Sequence, residues 1–274
     1  MSIKCFYINL DRATSRRELI ERAFDQINSK GISLERFKAF DTTYITENNV
    51  LGSITEVEKA CFLSHSQIIK NNANEGKHVW ILEDDQTFSS QTINILDNFL
   101  AHKSAELDWD ILYTDVGAPS IAVMADLMMM RRNLMNSKSI ECLNLRTIPF
   151  FGATSYIINA KSITKVAELI EAPELTVQFD LLLRKFIYEG KINAFVTFPF
   201  LTTDSDEASI SSIQKSETAQ TDLIWSLFRR LTWLDGDHFD PTPLLNELWK
   251  GLDKRSQLYG VLWAAMADPS FKLK

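Results

Sequence analysis

Three carboxylates, Glu83, Asp84 and Asp85, end the stretch HVWILEDD at residues 78–85, directly after four apolar residues. A short unbroken apolar run is the pattern of a strand buried on both faces. Acids cannot stay in such a core without partners, because an unpaired buried charge is very costly. They are therefore expected at the strand's carboxyl end, the edge where open α/β sheets bind ligands. In extended chain Glu83 and Asp85 point to one side and Asp84 to the other. Two carboxylates on one side suit a hard divalent cation, Mg²⁺ or Mn²⁺. The alternative is a set of solvated loop acids ahead of a helix that begins near Ser89 and Ser90.

Two other stretches could share that edge. The first is NLDRATSRR at 9–17, which follows an apolar run at 4–10. Arg12, Arg16 and Arg17 offer cationic forks, and a helix start offers backbone N–H groups; both suit phosphate. There is no GxGxxG fingerprint and no Walker loop. The alternative is a solvated helix start. The second is EKACFLSH at 58–65. Glu58, Cys61 and His65 lie three and four apart and share a helix face. A single Cys–His pair supplies too few ligands for zinc. His65 is then a structural histidine, or Ser64 and His65 contact a nucleotide or sugar. No G-x-S-x-G occurs, and His65 has no evident serine partner, which argues against a serine hydrolase. A nucleotidyltransferase would call for a Gly- and Lys-rich triphosphate loop, and NLDRATSRR contains neither residue.

The elements that must position these residues follow from hydrophobic periodicity. A strand at 4–10, a helix with a capping box at Ser15-Arg16-Arg17-Glu18, and a strand at 32–40 make a β-α-β start, which implies a parallel sheet. A polar loop is expected at 42–53. A second capping box, Thr55-Glu56-Val57-Glu58, opens a helix through about Asn74. After the acidic strand come a helix around Ile93–Leu100, a strand at 109–116 ending in Asp115, and a methionine-rich segment at 119–146. That segment is a core helix or a flap over the site. One or two strands at 147–159, helices at 162–172 and 179–188, a strand at 192–200 and a polar loop at 202–216 complete the domain. Beyond residue 218, apolar and tryptophan-rich helical runs form an appendage. The expected division is 1–216 for the α/β domain and 217–274 for the helices.

Composition agrees with an ordinary globular protein: 274 residues, 45% hydrophobic, 24% charged. The net charge of −7 leaves no basic signature for nucleic acid. Residues 221–274 carry seven acids and seven bases, so the first 220 hold the whole −7. Three scattered cysteines form neither a disulfide framework nor a zinc pattern and suggest a reducing compartment. With no leader-like start and no run of about 18 apolar residues, a cytoplasmic protein is expected. Peripheral attachment to the inner membrane through the C-terminal helices stays open, as does a homodimer through them.

In order and separation, NLDRATSRR, the helix ending CFLSH and the strand ILEDD resemble glycosyltransferase family 25, the lipopolysaccharide and lipooligosaccharide biosynthesis transferases. The animal collagen galactosyltransferases are similar. The resemblance is specific over residues 3–116. It continues more weakly through FFGATSYII (Gly152, Thr154, Tyr156), VQFDLLL (Asp180) and SISSI at 209–213. It implies a GT-A architecture, a Rossmann-like α/β domain that binds a sugar nucleotide. It also implies an inverting transfer, with UDP-galactose as the usual donor and a lipopolysaccharide or oligosaccharide acceptor.

The resemblance assigns Asn9, Leu10, Arg12, Arg16, Ser64, His65, Glu83 and Asp84 to the UDP-sugar. GT-A enzymes hold Mn²⁺ or Mg²⁺ with a D-x-D motif, and here Glu83-Asp84-Asp85 takes its place. Asp85 is then the direct ligand, and Glu83, being longer, acts at the metal or on the donor sugar. Inversion needs a base for the acceptor hydroxyl. Asp180 is the first choice, because a helix N-terminus favours its ionised form; Asp115 and Glu207 are rivals, and a plain helix cap is the alternative for Asp180. The competing function is a non-catalytic sugar-nucleotide or glycan-binding protein of the same fold.

Overall fold

The four apolar residues before the acids form the centre of the sheet. In the computed structural model, which describes residues 2–104, 106–205, 219–242 and isolated positions between 246 and 265, Val79, Trp80, Ile81 and Leu82 are all fully buried. Strands β1 (Ile3–Asn9), β2 (Leu34–Lys38) and β3 (His78–Glu83) run parallel. A short β4 (Gln86–Phe88) follows, then β5 (Ile111–Tyr113), β6 (Glu141–Asn144), β7 (Ser155–Ile158), β8 (Ala194–Phe198) and β9 (Thr202–Asp204). The main sheet has the order β2-β1-β3-β7-β5-β8-β6, and β4 pairs with β9. The parallel sheet expected from the β-α-β start holds for β1, β2 and β3. It is then interrupted by β7, which enters antiparallel between β3 and β5.

This order decides where a ligand can sit. From β1 the chain reaches β2 on one side through α1 (Thr14–Ile27), and β3 lies on the other side. The route to β3 passes through α2 (Thr42–Glu47) and α3 (Glu56–Asn72). Ile20 and Phe24 of α1 pack with Trp80 and Leu82 on one face. Phe62 and Ile69 of α3 pack with Val79 and Ile81 on the other. The crossovers diverge on opposite faces, so a crevice opens outside the carboxyl ends of β1 and β3.

Further α-helices among the described residues are α4 (Thr92–Asn98), α5 (Ile121–Ser137), α6 (Ile163–Leu169), α7 (Phe179–Tyr188) and α8 (Ala219–Thr232). Met124 and Met128 of α5 are buried, which makes the methionine segment a core helix rather than a flap. The Thr55–Glu58 capping box forms with both reciprocal bonds. The box expected at Ser15 does not. That helix begins earlier, at Thr14, where Asn9 Nδ2 donates to the Ala13 carbonyl and fixes the turn. The expected loop at 42–53 contains α2, because Asp41 accepts from the Tyr44 amide as an N-cap. The polar start of the expected 202–216 loop is β9, and residues 206–218, with Glu207 and the SISSI run, lie outside the description.

The C-terminal segment is not wholly an appendage. Leu227, Phe228 and Leu231 of α8 are buried in the same cluster as Val79 and Ile81. The turn after α8 is pinned as well. Arg131 Nε donates to the Trp233 carbonyl at 2.9 Å, and Ser89 Oγ donates to Asp235 Oδ1 at 2.9 Å. An apolar helix face and a buried arginine decide this, through partners more than a hundred residues away. Most of the later helical runs, with Trp249 and Trp263, lie outside the described residues. Among the described residues no helix is long and apolar enough to cross a membrane.

Candidate functional site

A cavity of about 470 Å³ opens at this crevice. Leu10, Arg12, Ser15 and Arg16 form one wall, and Ala39, Phe40, Asp41 and Thr42 form the opposite one. Val57, Ala60, Cys61, Ser64 and His65 of α3 close the back, and Glu83, Asp84 and Asp85 share the remaining lining. The structure thus brings eight expected residues to one cavity: Leu10, Arg12, Arg16, Ser64, His65, Glu83, Asp84 and Asp85. Asn9 is buried beside them.

The three acids have different partners. Glu83 is the last residue of β3, and the chain turns immediately after it. Strand alternation therefore stops there, and Asp84 does not face the far side as extended geometry would require. Instead it accepts from Asn9 Nδ2 at 2.7 Å and from Arg16 Nη1 at 2.9 Å. Arg16 Nη1 also lies 3.7 Å from Asp85 Oδ2. Asn9 is itself oriented by Arg36, whose Nε donates to Asn9 Oδ1 at 3.0 Å. The turn after β1 thereby clamps the turn after β3.

Electrostatics mark the site as short of positive charge. Burial pushes the Glu83 carboxyl up, as do the carboxylates of Asp85 and Asp84, against an opposing pull from His65. Burial and Asp85 likewise push Asp84 up, against Asn9 and Arg16. Three carboxylates thus line one cavity, with Asp84 held by Asn9 and Arg16 and Glu83 facing His65.

The α3 residues are more internal than their sequence suggested. Ser64 Oγ donates to the Ala60 carbonyl at 2.8 Å and accepts from the Phe40 amide at 3.0 Å, which fixes the opposite wall. The His65 ring is 1% exposed and stacks on Phe179 at 4.6 Å. Its Nδ1 bonds the Tyr156 hydroxyl at 2.9 Å, and its Nε2 lies 3.7 Å from Glu83 Oε1. Burial, then the carboxylates of Glu83, Asp180 and Glu58, push the Cys61 thiol well up.

Asp180 does not line the cavity. It sits in the first turn of α7, next to the Phe179 that stacks on His65, and its Oδ2 accepts from the Gly152 amide at 2.9 Å. The rival base Asp115 is already engaged. Its buried carboxylate takes Arg229 of α8 and the Thr154 hydroxyl, so it is not placed to accept a proton from a ligand. Glu207 lies outside the described residues. Sequence reasoning missed Phe40 and Tyr44, whose rings pair at 4.4 Å, with Phe40 on the cavity wall and Tyr44 exposed. Their signal was two aromatics flanking the helix cap Asp41 at the end of β2.

A sequence profile described as "Glycosyltransferase family 25 (LPS biosynthesis protein)" matches residues 2–183. A Drosophila melanogaster protein described as "Glycosyltransferase 25 family member" is 35% identical over 102 residues, covering 31% of this chain. The match spans only 16% of that relative's length. Among solved structures, a Bacillus anthracis protein described as a candidate glucose-1-phosphate thymidylyltransferase, in complex with sucrose, is similar at a TM-score of 0.34 and 11% identity. That similarity covers 74% of this chain and 89% of the other. The profile takes in the clamp after β1, the α3 wall and the acidic end of β3 together, and by that match the chain belongs to glycosyltransferase family 25.

Proposed function

We propose that this protein is an inverting, metal-dependent glycosyltransferase that moves a hexose onto a lipopolysaccharide or lipooligosaccharide acceptor. Galactose from UDP-galactose is the first donor to consider. The observation that carries the reading is the meeting of a carboxylate cluster with the Arg12–Arg16 turn in one cavity at the switch point of the sheet. Phe40 offers a flat face for a nucleobase, and Arg12, with the first turn of α1, offers positive charge for a diphosphate. Mn²⁺ or Mg²⁺, held by Asp85 with Glu83, would supply charge to stabilise the departing UDP. The protein's own task is to hold the donor with its anomeric carbon toward the acceptor and to accept one proton from the attacking hydroxyl.

Asp180 is the base in this proposal: it lies outside the cavity lining, but its charge reaches Cys61 on the cavity wall, and its second carboxylate oxygen would take the proton on the acceptor side. An Asp180→Asn variant keeps an oxygen for the Gly152 amide, so folding and UDP binding are expected to survive while kcat falls by about 10²–10⁴-fold. Steady-state kinetics beside UDP titration would check this, and unchanged turnover would move the base elsewhere.

The test of the whole reading is thermal-shift binding against UDP-, GDP- and CMP-sugars with and without Mn²⁺. Stabilisation by a UDP-hexose that grows with Mn²⁺ is expected; no response to any nucleotide sugar would remove the reading. One observation favours the second reading, a sugar-nucleotide binder without turnover. Glu83 replaces the first aspartate of the motif and turns toward His65. In that case donor binding would persist with neither transfer nor donor hydrolysis.

A further inference from the structure

The back wall of the cavity holds a second donor set of different chemistry. Cys61 and His65 lie one helical turn apart on α3, and the end of β3 brings Glu83 to them. One ligand atom from each of the three lies within 4.8 Å of the others. Asp85 is not part of this group. We propose that Cys61, His65 and Glu83 form a binding site for a late first-row divalent cation of the Zn²⁺ type, which shares Glu83 with the hard-cation position proposed above but does not use Asp85.

The histidine carries the strongest argument. Its Nδ1 is paired with the Tyr156 hydroxyl, and the ring packs against Tyr156 and Phe179 at centroid distances of 5.8 and 4.6 Å. A metal-bound histidine is oriented in this way, through a hydrogen bond at its other nitrogen. Its Nε2 faces Glu83 Oε1 across 3.7 Å, and in the tautomer that carries its proton on Nδ1 it turns a lone pair to the cavity.

The set of thiolate, imidazole and carboxylate matches zinc better than magnesium or calcium. Ligand atoms around tetrahedral zinc stand about 3.5 Å apart, given bonds of about 2.0–2.3 Å. The group is therefore one side-chain adjustment from closure. All three residues line the cavity, which leaves a fourth position facing the space where a donor would lie. The proposal does not depend on the transferase reading, because a metal can bind here whether or not sugar is transferred.

Cobalt substitution tests it. The full-length protein, stripped with chelator, is titrated with Co²⁺ and followed by absorption for thiolate-to-metal charge transfer, then back-titrated with Zn²⁺. One equivalent of Co²⁺ giving that band, and Zn²⁺ displacing it, is expected. Cys61→Ser should remove the band and weaken Zn²⁺ binding about tenfold or more, and Glu83→Gln should weaken it similarly. Asp85→Asn should leave the band in place. No charge-transfer band in the wild type, or a band that persists in Cys61→Ser, would overturn the proposal. A band lost in folded Asp85→Asn would do the same, by assigning the metal to the hard site. If Cys61→Ser does not fold, as circular dichroism would show, Cys61→Ala and the wild-type titration decide in its place.

Discussion

An Asp85→Asn variant is expected to lose about 10²–10³-fold in kcat with UDP-hexose, while its melting temperature stays equal to the wild type or rises slightly. The two halves have one cause. Asp85 crowds Glu83 and Asp84, and its charge helps push both carboxyls up. Groups whose pKa is raised by folding contribute stability below their unfolded pKa and lose it as pH rises through the folded value. Near neutral pH the cluster therefore costs stability, and removing one charge relieves part of that cost. Asparagine has nearly the shape of aspartate and keeps an acceptor for Gln86 Nε2, which lies 3.2 Å from Asp85 Oδ1. In the proposed reaction the loss falls on holding the cation that would neutralise the leaving diphosphate. Kinetics and melting curves with and without Mn²⁺ check both halves. The wild type should gain more from Mn²⁺ than the variant, and the gain should shrink as pH falls into the carboxylate range. Full activity in Asp85→Asn would end the assignment of Asp85 as ligand.

What could be read from the sequence was local. The apolar run of β3, the reciprocal Thr55–Glu58 cap and the bounds of α7 follow from period, cap chemistry and length, and all three stand in the structure. The clustering of the cavity followed from topology, since a turn after a first parallel strand and a turn after its parallel neighbour share an edge. What could not be read depended on where the regular pattern stops. Asp84 was assigned to the wrong side because alternation holds only while the chain is extended, and the strand ends one residue earlier. The antiparallel entry of β7 is a choice of pairing partner, to which its own four apolar or small residues give no clue. The role of α8 was hidden for a similar reason. Its apolar stripe is visible in sequence, but its partners Asp115 and Thr154 are 114 and 75 residues away.

That last contact sets the largest expected effect on stability. Arg229 donates through Nε to Asp115 Oδ2 at 3.0 Å and through Nη2 to the Thr154 hydroxyl at 3.1 Å. The Asp115 side chain is 0% exposed and that of Arg229 14%. Breaking such a pair from one side leaves a buried charge without compensation, so Arg229→Leu is expected to destabilise by about 3–5 kcal/mol. In a protein of this size that lowers the melting temperature on the order of 10 °C. The sign with pH follows from Asp115. Burial already pushes its carboxyl up, against the pull of Arg229, and loss of the arginine pushes it higher still. A raised folded-state pKa gives stability that is present at low pH and lost as pH rises. The deficit of Arg229→Leu should therefore be greatest near neutrality and shrink toward acid. Adding Asp115→Asn to the same chain removes the orphaned charge and should recover much of the loss, a coupling that a double-mutant cycle measures directly. If the two losses simply add, the Arg229–Asp115 pair is not what holds α8. If they couple strongly, the ion pair ties the C-terminal helix to the carboxyl end of β5. The second outcome is expected because the apolar face can fix how deeply α8 sits, whereas a directional contact such as that at Asp115 fixes its rotation and register along the sheet edge.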